Sequence, residues 1–341
     1  MPNSLRPAAL AAAFLALAAT SALVRPALAQ PSPAQPAVVT DFGPVDSITA
    51  RVMAGVGAPV QILPPGAEPH SYSLRPSEAR ELGAADLVVW VGPRMTPWLA
   101  DPIAALASKA EVLTLDELPG LTLLPIRASG PFEADLHDHG AEAGEHDDHD
   151  HDAAGHDDPD HDAHADAAAQ AAPDQHLWLD PDNATVFAAA IAAKLGAMDP
   201  AHAAAYAANA EAFAGEMAAL SAEVDATLAP ARGKPFIVFH DAYQYFEHRF
   251  DIPAAGSVAL HDAESPGAAR VAEIRDRVRA DGVVCAFTEP QFPPKLLATI
   301  TEGSEVRTAA LDPEGVGLTP GVDLYPTLIR NLATDLAGCL R

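Results

Sequence analysis

Short apolar segments alternate with segments of helical spacing on both sides of a long polar run. The apolar segments predict strands at residues 38–40, 59–63, 87–91, 112–115, 236–239, 283–287 and 306–311. The patterns between them predict helices at residues 42–56, 77–82, 95–107, 266–280, 294–301 and 325–340. Parallel strands need crossover connections, so the alternation predicts an α/β fold with two lobes, mainly parallel sheets and helices covering the sheet faces.

An apolar stripe predicts one long helix in the middle of the chain. The stripe has spacings of 7, 4, 3, 4 and 4 residues, and consists of Tyr206, Phe213, Met217, Leu220, Val224 and Leu228. Asn183 is the expected cap of a preceding helix that runs to about residue 195. Asp199 and Pro200 predict the start of the long helix, and roughly 28 residues would span about 40 Å. A rigid helix of that length suits a connector. We therefore expect a first lobe at 30–185, a connecting region at 186–230 and a second lobe at 231–341.

The first 29 residues have the pattern of an export signal. Arg6 gives a positive start, residues 8–24 are apolar, and Ala27 and Ala29 are small residues at the two positions that a signal peptidase reads before its cleavage site. We expect cleavage near Ala29 and export to a periplasm. No later stretch is long and apolar enough to predict a membrane span.

A run of histidine and aspartate at residues 135–166 interrupts the first lobe and contains no Lys or Arg. It holds eight of the fourteen histidines: His137, His139, His146, His149, His151, His156, His161 and His164. Such a run cannot bury an apolar face, so residues 133–172 are predicted to be a disordered loop. Imidazole and carboxylate are ligands for zinc and related metals, and an auxiliary metal-binding loop is favoured over a plain acidic spacer.

Charge and cysteine content limit the partners and the compartment. The net charge is −27, and 14 acidic residues lie within 133–166, so the lobes themselves are only moderately acidic. Nucleic acid is disfavoured as a partner because phosphate binding needs a basic surface. The expected oligomeric state is a monomer. Cys285 and Cys339 are the two cysteines. In an oxidising compartment they suggest one disulfide, with metal thiolates as the less favoured alternative.

Four potential metal ligands follow predicted strands or begin loops: His70, His176, His240 and Asp312. In open α/β sheets, ligands bind at the carboxyl ends of strands, so residues from both lobes could meet in the cleft between them. Three imidazoles and one carboxylate make a reasonable tetrahedral zinc shell, and a closed shell suits a carrier better than a catalyst. Each residue alone also has a purely structural explanation, and their spacing alone does not connect them.

Several segments resemble motifs of the metal-binding receptors of ABC importers. These segments are residues 68–77, 85–92, 174–179, 239–243, 288–292 and 311–313. They are spread over nearly the whole chain that follows the leader. Together they resemble most the zinc receptors of high-affinity zinc importers, the ZnuA type.

The resemblance implies two α/β lobes joined by a long rigid helix, with the metal in the cleft. Because the connector is one long helix, we expect small lobe shifts when the metal is lost, and not a wide hinge closure. His70, His176 and His240 carry over as zinc ligands. The manganese branch usually has a carboxylate at the position of His240, so imidazole there favours zinc. Cys285 and Cys339 match a disulfide of zinc-type members.

The fourth ligand is expected to be Asp312, which matches a ligating carboxylate in some members. Other members use water or an acid directly before the first histidine. Here Pro69 holds that position and Glu68 lies one residue further back, so Glu68 and water stay as alternatives. His202, His248 and His261 match no ligand motif and are not expected in the cleft.

The function expected from these observations is binding without catalysis. The receptor would capture Zn²⁺ and deliver it to an ABC importer permease, with the histidine-rich loop as an auxiliary collector or sensor. Its affinity for zinc should fall as the pH is lowered, because zinc binds the neutral form of imidazole. The alternatives are a manganese or iron receptor of the same fold and a periplasmic zinc buffer. A zinc hydrolase is disfavoured because it would need an open coordination position and a general base, for which Glu289 is the only candidate.

Overall fold

The computed structural model describes residues 35–127, 172–259, 267–292 and 295–341. Residues 35–341 belong to one compact unit. The expected export signal and the eight histidines of the polar run lie outside the described residues.

The first sheet is built from four parallel strands near the start of the described chain. The strands are β1 (Val38–Thr40), β2 (Val60–Gln61), β3 (Leu87–Trp90) and β4 (Glu111–Thr114), in the order β2-β1-β3-β4. The helices that connect them are α1 (Gly43–Val52), α2 (Pro76–Gly83) and α3 (Pro97–Leu106). All four residues of β3 are buried, as expected for a strand covered on both faces.

The second sheet repeats the same arrangement with the order β6-β5-β7-β8, again all parallel. Its strands are β5 (Phe236–His240), β6 (Gly256–Ala259), β7 (Cys285–Thr288) and β8 (Arg307–Ala310). Its connecting helices are α6 (Gln244–Phe250), α7 (Ala268–Ala280) and α8 (Lys295–Thr301). The predicted α/β class with parallel sheets is confirmed. Strand β6 was not predicted, because its four residues include Gly, Ser and Ala and show no alternation.

Three longer helices complete the described fold: α4 (Pro181–Met198), α5 (Ala203–Leu228) and α9 (Leu324–Leu340), of which α9 contacts β8 of the second sheet. The 26-residue α5 is the predicted long helix, and all six residues of its apolar stripe are buried. It packs on α4, α9 and α1. The region expected as one connector therefore contains α4 and α5 with a short turn between them, and the lobe boundaries stay predictions.

The helix starts differ from those expected because the predicted capping side chains have other partners. Helix α4 is capped by Asp180, whose Oδ1 accepts a hydrogen bond from Asp182 N at 2.9 Å, whereas the sequence predicts Asn183 as the cap. The Asn183 side chain instead bonds the backbone of Thr122. Asp199 ends α4 and does not begin α5, which starts at Ala203.

One continuous apolar cluster lies beneath both sheets. It includes Val38 and Val89 from the first sheet, Phe236 and Phe287 from the second, and Phe213 from α5. Burying one large apolar side chain in such a cluster stabilises the folded state by roughly 1.5–3 kcal/mol relative to leaving it exposed. The two lobes therefore share a core, which limits their independent movement.

Cys285 in β7 and Cys339 in α9 form a disulfide, with their Cα atoms 6.0 Å apart. The predicted pairing is confirmed. It joins a central strand of the second sheet to the C-terminal helix across 54 residues of sequence. Within the described ranges, no helix is long and apolar enough to cross a membrane.

Replacing both cysteines by alanine should lower the free energy of unfolding by about 2–4 kcal/mol, because the unfolded chain loses a constraint on a long loop. Denaturant unfolding of the metal-free protein measures this. The unmodified protein in a strong reductant is the control and should unfold like the variant. Equal midpoints with and without reductant would contradict a stabilising disulfide.

Candidate metal site

Three imidazoles meet in one pocket between the two sheets. The rings of His70 and His176 have their centroids 5.8 Å apart, and those of His176 and His240 are 5.5 Å apart. Their positions follow from the fold. His70 lies on the loop between β2 and α2, His176 precedes α4, and His240 is the last residue of β5. The pocket is lined by Glu68, His70, Met95, His176, Trp178, His240, Gln291, Phe292, Pro313 and Glu314.

A buried carboxylate orients His176. Asp174 Oδ1 lies 2.7 Å from His176 Nδ1 and also accepts a hydrogen bond from the His176 backbone N–H at 2.9 Å. Both residues are 6% exposed. When Nδ1–H donates to Asp174, Nε2 has its lone pair available for a metal, and the carboxylate fixes the orientation of the ring.

A second buried carboxylate orients His240 in the same way. Glu289 Oε1 lies 2.7 Å from His240 Nδ1 and 3.3 Å from the His240 backbone nitrogen. Glu289 is 2% exposed and directly follows β7, the neighbour of β5 in the sheet. Two parallel strands thus bring the imidazole and its carboxylate to the same edge.

His70 has different surroundings, because its loop is only half-buried. The His70 backbone N–H donates to Glu68 Oε1 at 2.9 Å, and the amide nitrogen of Gln175 lies 3.5 Å from His70 Nδ1. The loop is fixed from the other side by Trp98, whose indole N–H donates to the Pro69 carbonyl at 2.7 Å. His70 therefore has an amide where the other two histidines have a carboxylate.

The three rings are close together but do not form a closed metal shell. Within the described part of the chain, no group of three or more His, Cys, Asp or Glu is arranged to hold a metal ion as it stands. In a tetrahedral zinc shell, Zn–N distances of about 2.0–2.1 Å place neighbouring nitrogens about 3.4 Å apart. The same shell would place the centroids of neighbouring imidazole rings about 5 Å apart. The observed separations of 5.5–5.8 Å are close to that value, so binding one ion would need only small adjustments of the rings.

Asp312, predicted as the fourth ligand, does not line this pocket. Its carboxylate accepts hydrogen bonds from three backbone N–H groups, those of Glu314 at 3.2 Å, Gly315 at 2.8 Å and Gly317 at 3.2 Å. The carboxylates that do line the pocket are Glu68 and Glu314. Burial raises the pKa of Glu314 well above its usual range, although His240 acts in the opposite direction.

Sequence reasoning missed the positions of three acidic residues, Asp174, Glu289 and Glu314. Asp174 lies two residues before His176, a spacing at which an Asp side chain can accept a hydrogen bond from the later residue's backbone N–H. Glu289 was considered only as the base of a hydrolase, but Oε1 is bonded to His240. Glu314 carried no recognisable signal, because it follows Asp312-Pro313 in a loop.

The remaining histidines lie elsewhere. His202 Nδ1 is 2.6 Å from Asp199 Oδ2 in the turn between α4 and α5. His248 is exposed on α6, and His261 lies outside the described residues. Neither His202 nor His248 lines the pocket.

The chain has two α/β lobes with parallel sheets, which share a core and direct imidazoles into one pocket. This arrangement defines a metal-binding receptor of the substrate-binding class. The chain matches the family profile described as "Zinc-uptake complex component A periplasmic" over residues 38–339. It belongs to this family, the ZnuA family, as the resemblance predicts. Its members are zinc-binding transport receptors, so the expectation of a receptor and not an enzyme is confirmed.

The relatives and solved structures agree with this membership. The high-affinity zinc uptake system protein ZnuA of Brucella abortus is 49% identical over 310 residues, covering 89% of this chain and 91% of the relative. That of Paracoccus denitrificans is 46% identical over 312 residues with the same coverage. A crystal structure of ZnuA has a TM-score of 0.70 at 21% identity and covers 90% of this chain and 100% of its own. That similarity supports the fold.

Asp174→Asn and Glu289→Gln should each weaken zinc binding by about 10- to 100-fold, because an amide holds the imidazole in its orientation less firmly than a carboxylate does. Competition with a chelator measures the affinity. Asp199→Asn is a matched control, since it alters the same kind of carboxylate–histidine contact away from the pocket. Equal losses in all three variants would show a general effect of charge and not one of ligand orientation.

Proposed function

We propose that this chain is a periplasmic receptor that binds Zn²⁺ in the pocket between its lobes and delivers it to an ABC importer permease. The observation that carries the proposal is the convergence of three imidazoles, two of them oriented by buried carboxylates. The proposal also follows from the names of the relatives, which are high-affinity zinc uptake proteins.

His70, His176 and His240 are the proposed zinc ligands, binding through the nitrogens that face the pocket. Neutral imidazole suits zinc, whereas manganese prefers carboxylate and other oxygen ligands. Strand β5 ends in a histidine, His240, and not in a carboxylate, which supports zinc. A manganese or iron receptor of the same fold is therefore the less favoured alternative.

The fourth ligand is proposed to be a carboxylate. Asp312, the residue predicted from sequence, would have to give up hydrogen bonds from three backbone N–H groups. Glu68 and Glu314 already line the pocket and would need a smaller rearrangement. We favour one of these two glutamates over Asp312.

Three variants separate the candidates for the fourth position: Glu68→Gln, Glu314→Gln and Asp312→Asn. Loss of a direct charged ligand should weaken zinc binding more than tenfold and change the absorption spectrum of the cobalt-substituted protein. Asp312→Asn should lower the melting temperature with little spectral change, because its oxygens accept bonds within its own loop. A spectral change in Asp312→Asn alone would restore Asp312 as the ligand.

The histidine-rich run at residues 135–166 is proposed to be an auxiliary collector or sensor, because its histidine density far exceeds that of a spacer. Weak, multi-site binding there would raise the local zinc concentration near the pocket. The proposed export signal would be cleaved near Ala29, leaving a chain that begins at Gln30. Mass spectrometry of the secreted protein determines that end.

The decisive experiment is a zinc titration against a competing chelator with three proteins: the mature chain, a form lacking residues 135–166, and His240→Ala. We expect one tight site that survives removal of the run and is lost in His240→Ala. Manganese and iron should compete weakly.

Loss of all tight binding with residues 135–166 would make a periplasmic zinc buffer the better account. The role of the run is tested separately, by measuring uptake under severe zinc limitation. Uptake that is unchanged without residues 135–166 would contradict a collecting role.

A further inference from the structure

Two backbone segments pair beside the pocket to form a short antiparallel stem, residues 124–127 and 172–174. Ile126 N donates to Ala172 O at 3.0 Å, and Asp174 N donates to Leu124 O at 2.8 Å. Pro125 and Pro173 form the bridge between these two hydrogen bonds. The stem leads directly to His176, because Asp174 is the residue that orients that imidazole.

Helix α6 of the second lobe holds the stem through Tyr245. The Tyr245 hydroxyl accepts a hydrogen bond from Leu124 N at 3.1 Å and donates one to Asp174 O at 2.8 Å. The side chain is fully buried, and burial raises the pKa of Tyr245, so it stays a neutral donor and acceptor. One hydroxyl therefore connects both strands of the stem to the second lobe.

Arg127 makes a second connection, at the end of the stem. Its guanidinium bonds both oxygens of Asp241, with Nε 2.7 Å from Oδ2, and its Nη1 lies 2.9 Å from Glu247 Oε2. Glu247 is 5% exposed, and burial raises its pKa while Arg127 acts to lower it. Removing Arg127 would leave a buried carboxylate without its cation, which is strongly unfavourable.

These contacts tie together the frames of two histidines. Asp241 follows His240 directly in sequence, and Asp174 bonds to His176. Arg127 and Tyr245 therefore link the backbone that carries one imidazole to the backbone that carries the other. None of Arg127, Asp241, Tyr245 and Glu247 lines the pocket, so any effect on the metal acts through position.

We propose that Arg127 and Tyr245 form a positioning clamp that sets the separation of His176 and His240, and with it the affinity for zinc. The proposal rests on the proposed function of the pocket and adds two residues that determine its geometry. The distances between zinc and its nitrogen ligands are short and nearly fixed, so a change in the spacing of the imidazoles lowers the affinity for zinc. The clamp fixes this spacing before the metal arrives, which reduces the ordering cost of binding.

The test compares Arg127→Ala, Arg127→Lys and Tyr245→Phe with Arg249→Ala as the matched control. Arg249 lies on the same helix and forms ion pairs with Asp180 and Asp182 of the α4 start, at 3.6 and 3.4 Å. Tyr245→Phe keeps the buried ring and removes only the hydroxyl, so it tests the clamp even where Arg127→Ala does not fold. Folding of each metal-free variant is followed by circular dichroism.

Chelator competition and the absorption spectrum of bound Co²⁺ are the two readouts. Arg127→Ala and Tyr245→Phe should weaken zinc binding about tenfold or more and alter the Co²⁺ spectrum. Arg127→Lys should recover part of the loss, since it restores the charge but not the planar fork. Arg249→Ala should stay within about twofold of the parent.

The outcomes separate the clamp from the proposed function. If the parent binds zinc tightly and both Tyr245→Phe and the folded Arg127 variants match its affinity and Co²⁺ spectrum, the clamp is wrong and the receptor stands. If the parent itself has no tight zinc site, the proposed function fails, and the clamp fails with it. A lowered melting temperature with unchanged metal binding would assign these residues to stability alone.

Discussion

The shared apolar core determines what the rest of this molecule can do. Trp178 lies at its centre: its ring meets that of Phe42 at 4.8 Å, its indole N–H donates to Pro313 O, and Tyr325 donates to its carbonyl. These partners come from both lobes. Packed interiors transmit small displacements and resist large ones. The backbone around the pocket beside Trp178 is therefore held nearly fixed by the core. Only modest lobe shifts are compatible with such a core, which is why loop and ring adjustments are the economical way to close on a metal.

Within that frame, buried charge is used to set the orientation of imidazoles. Asp174 and Glu289 are almost fully buried, and an isolated carboxylate there would be costly. Each is stabilised by the backbone and ring N–H groups of one histidine, so the same contacts that satisfy the carboxylate also point the ring. With Glu68 and Glu314 at the pocket wall, the acidic surroundings favour a divalent cation. In the proposed clamp, the contacts of Arg127 and Tyr245 set the spacing of two of these rings, whereas the carboxylates set their orientation.

The β–α alternation predicted the class of fold and seven of the eight strands found among the described residues, because apolar runs bounded by helical patterns have few other solutions. It missed β6, a strand of small residues that is stable through its pairing with β5 and carries little pattern of its own. The helix caps at Asn183 and Asp199 were also misassigned. Both side chains are good caps by type, but Asn183 bonds the distant backbone of Thr122, and Asp199 bonds the side chain of His202 three residues further on.

The sequence by itself determined the two lobes with parallel sheets and the long apolar helix, because these depend on residue type and periodicity, which a linear chain displays directly. The disulfide pair and the three histidines that meet in the pocket were expected because their segments resemble motifs of a known receptor family. The tertiary structure alone decided which carboxylates lie at the pocket and its imidazoles. Asp312 turned to its own loop, while Glu68, Asp174, Glu289 and Glu314 came to the pocket or its imidazoles. A carboxylate has the same chemistry in every loop, and only the folded backbone determines which N–H groups lie within its reach.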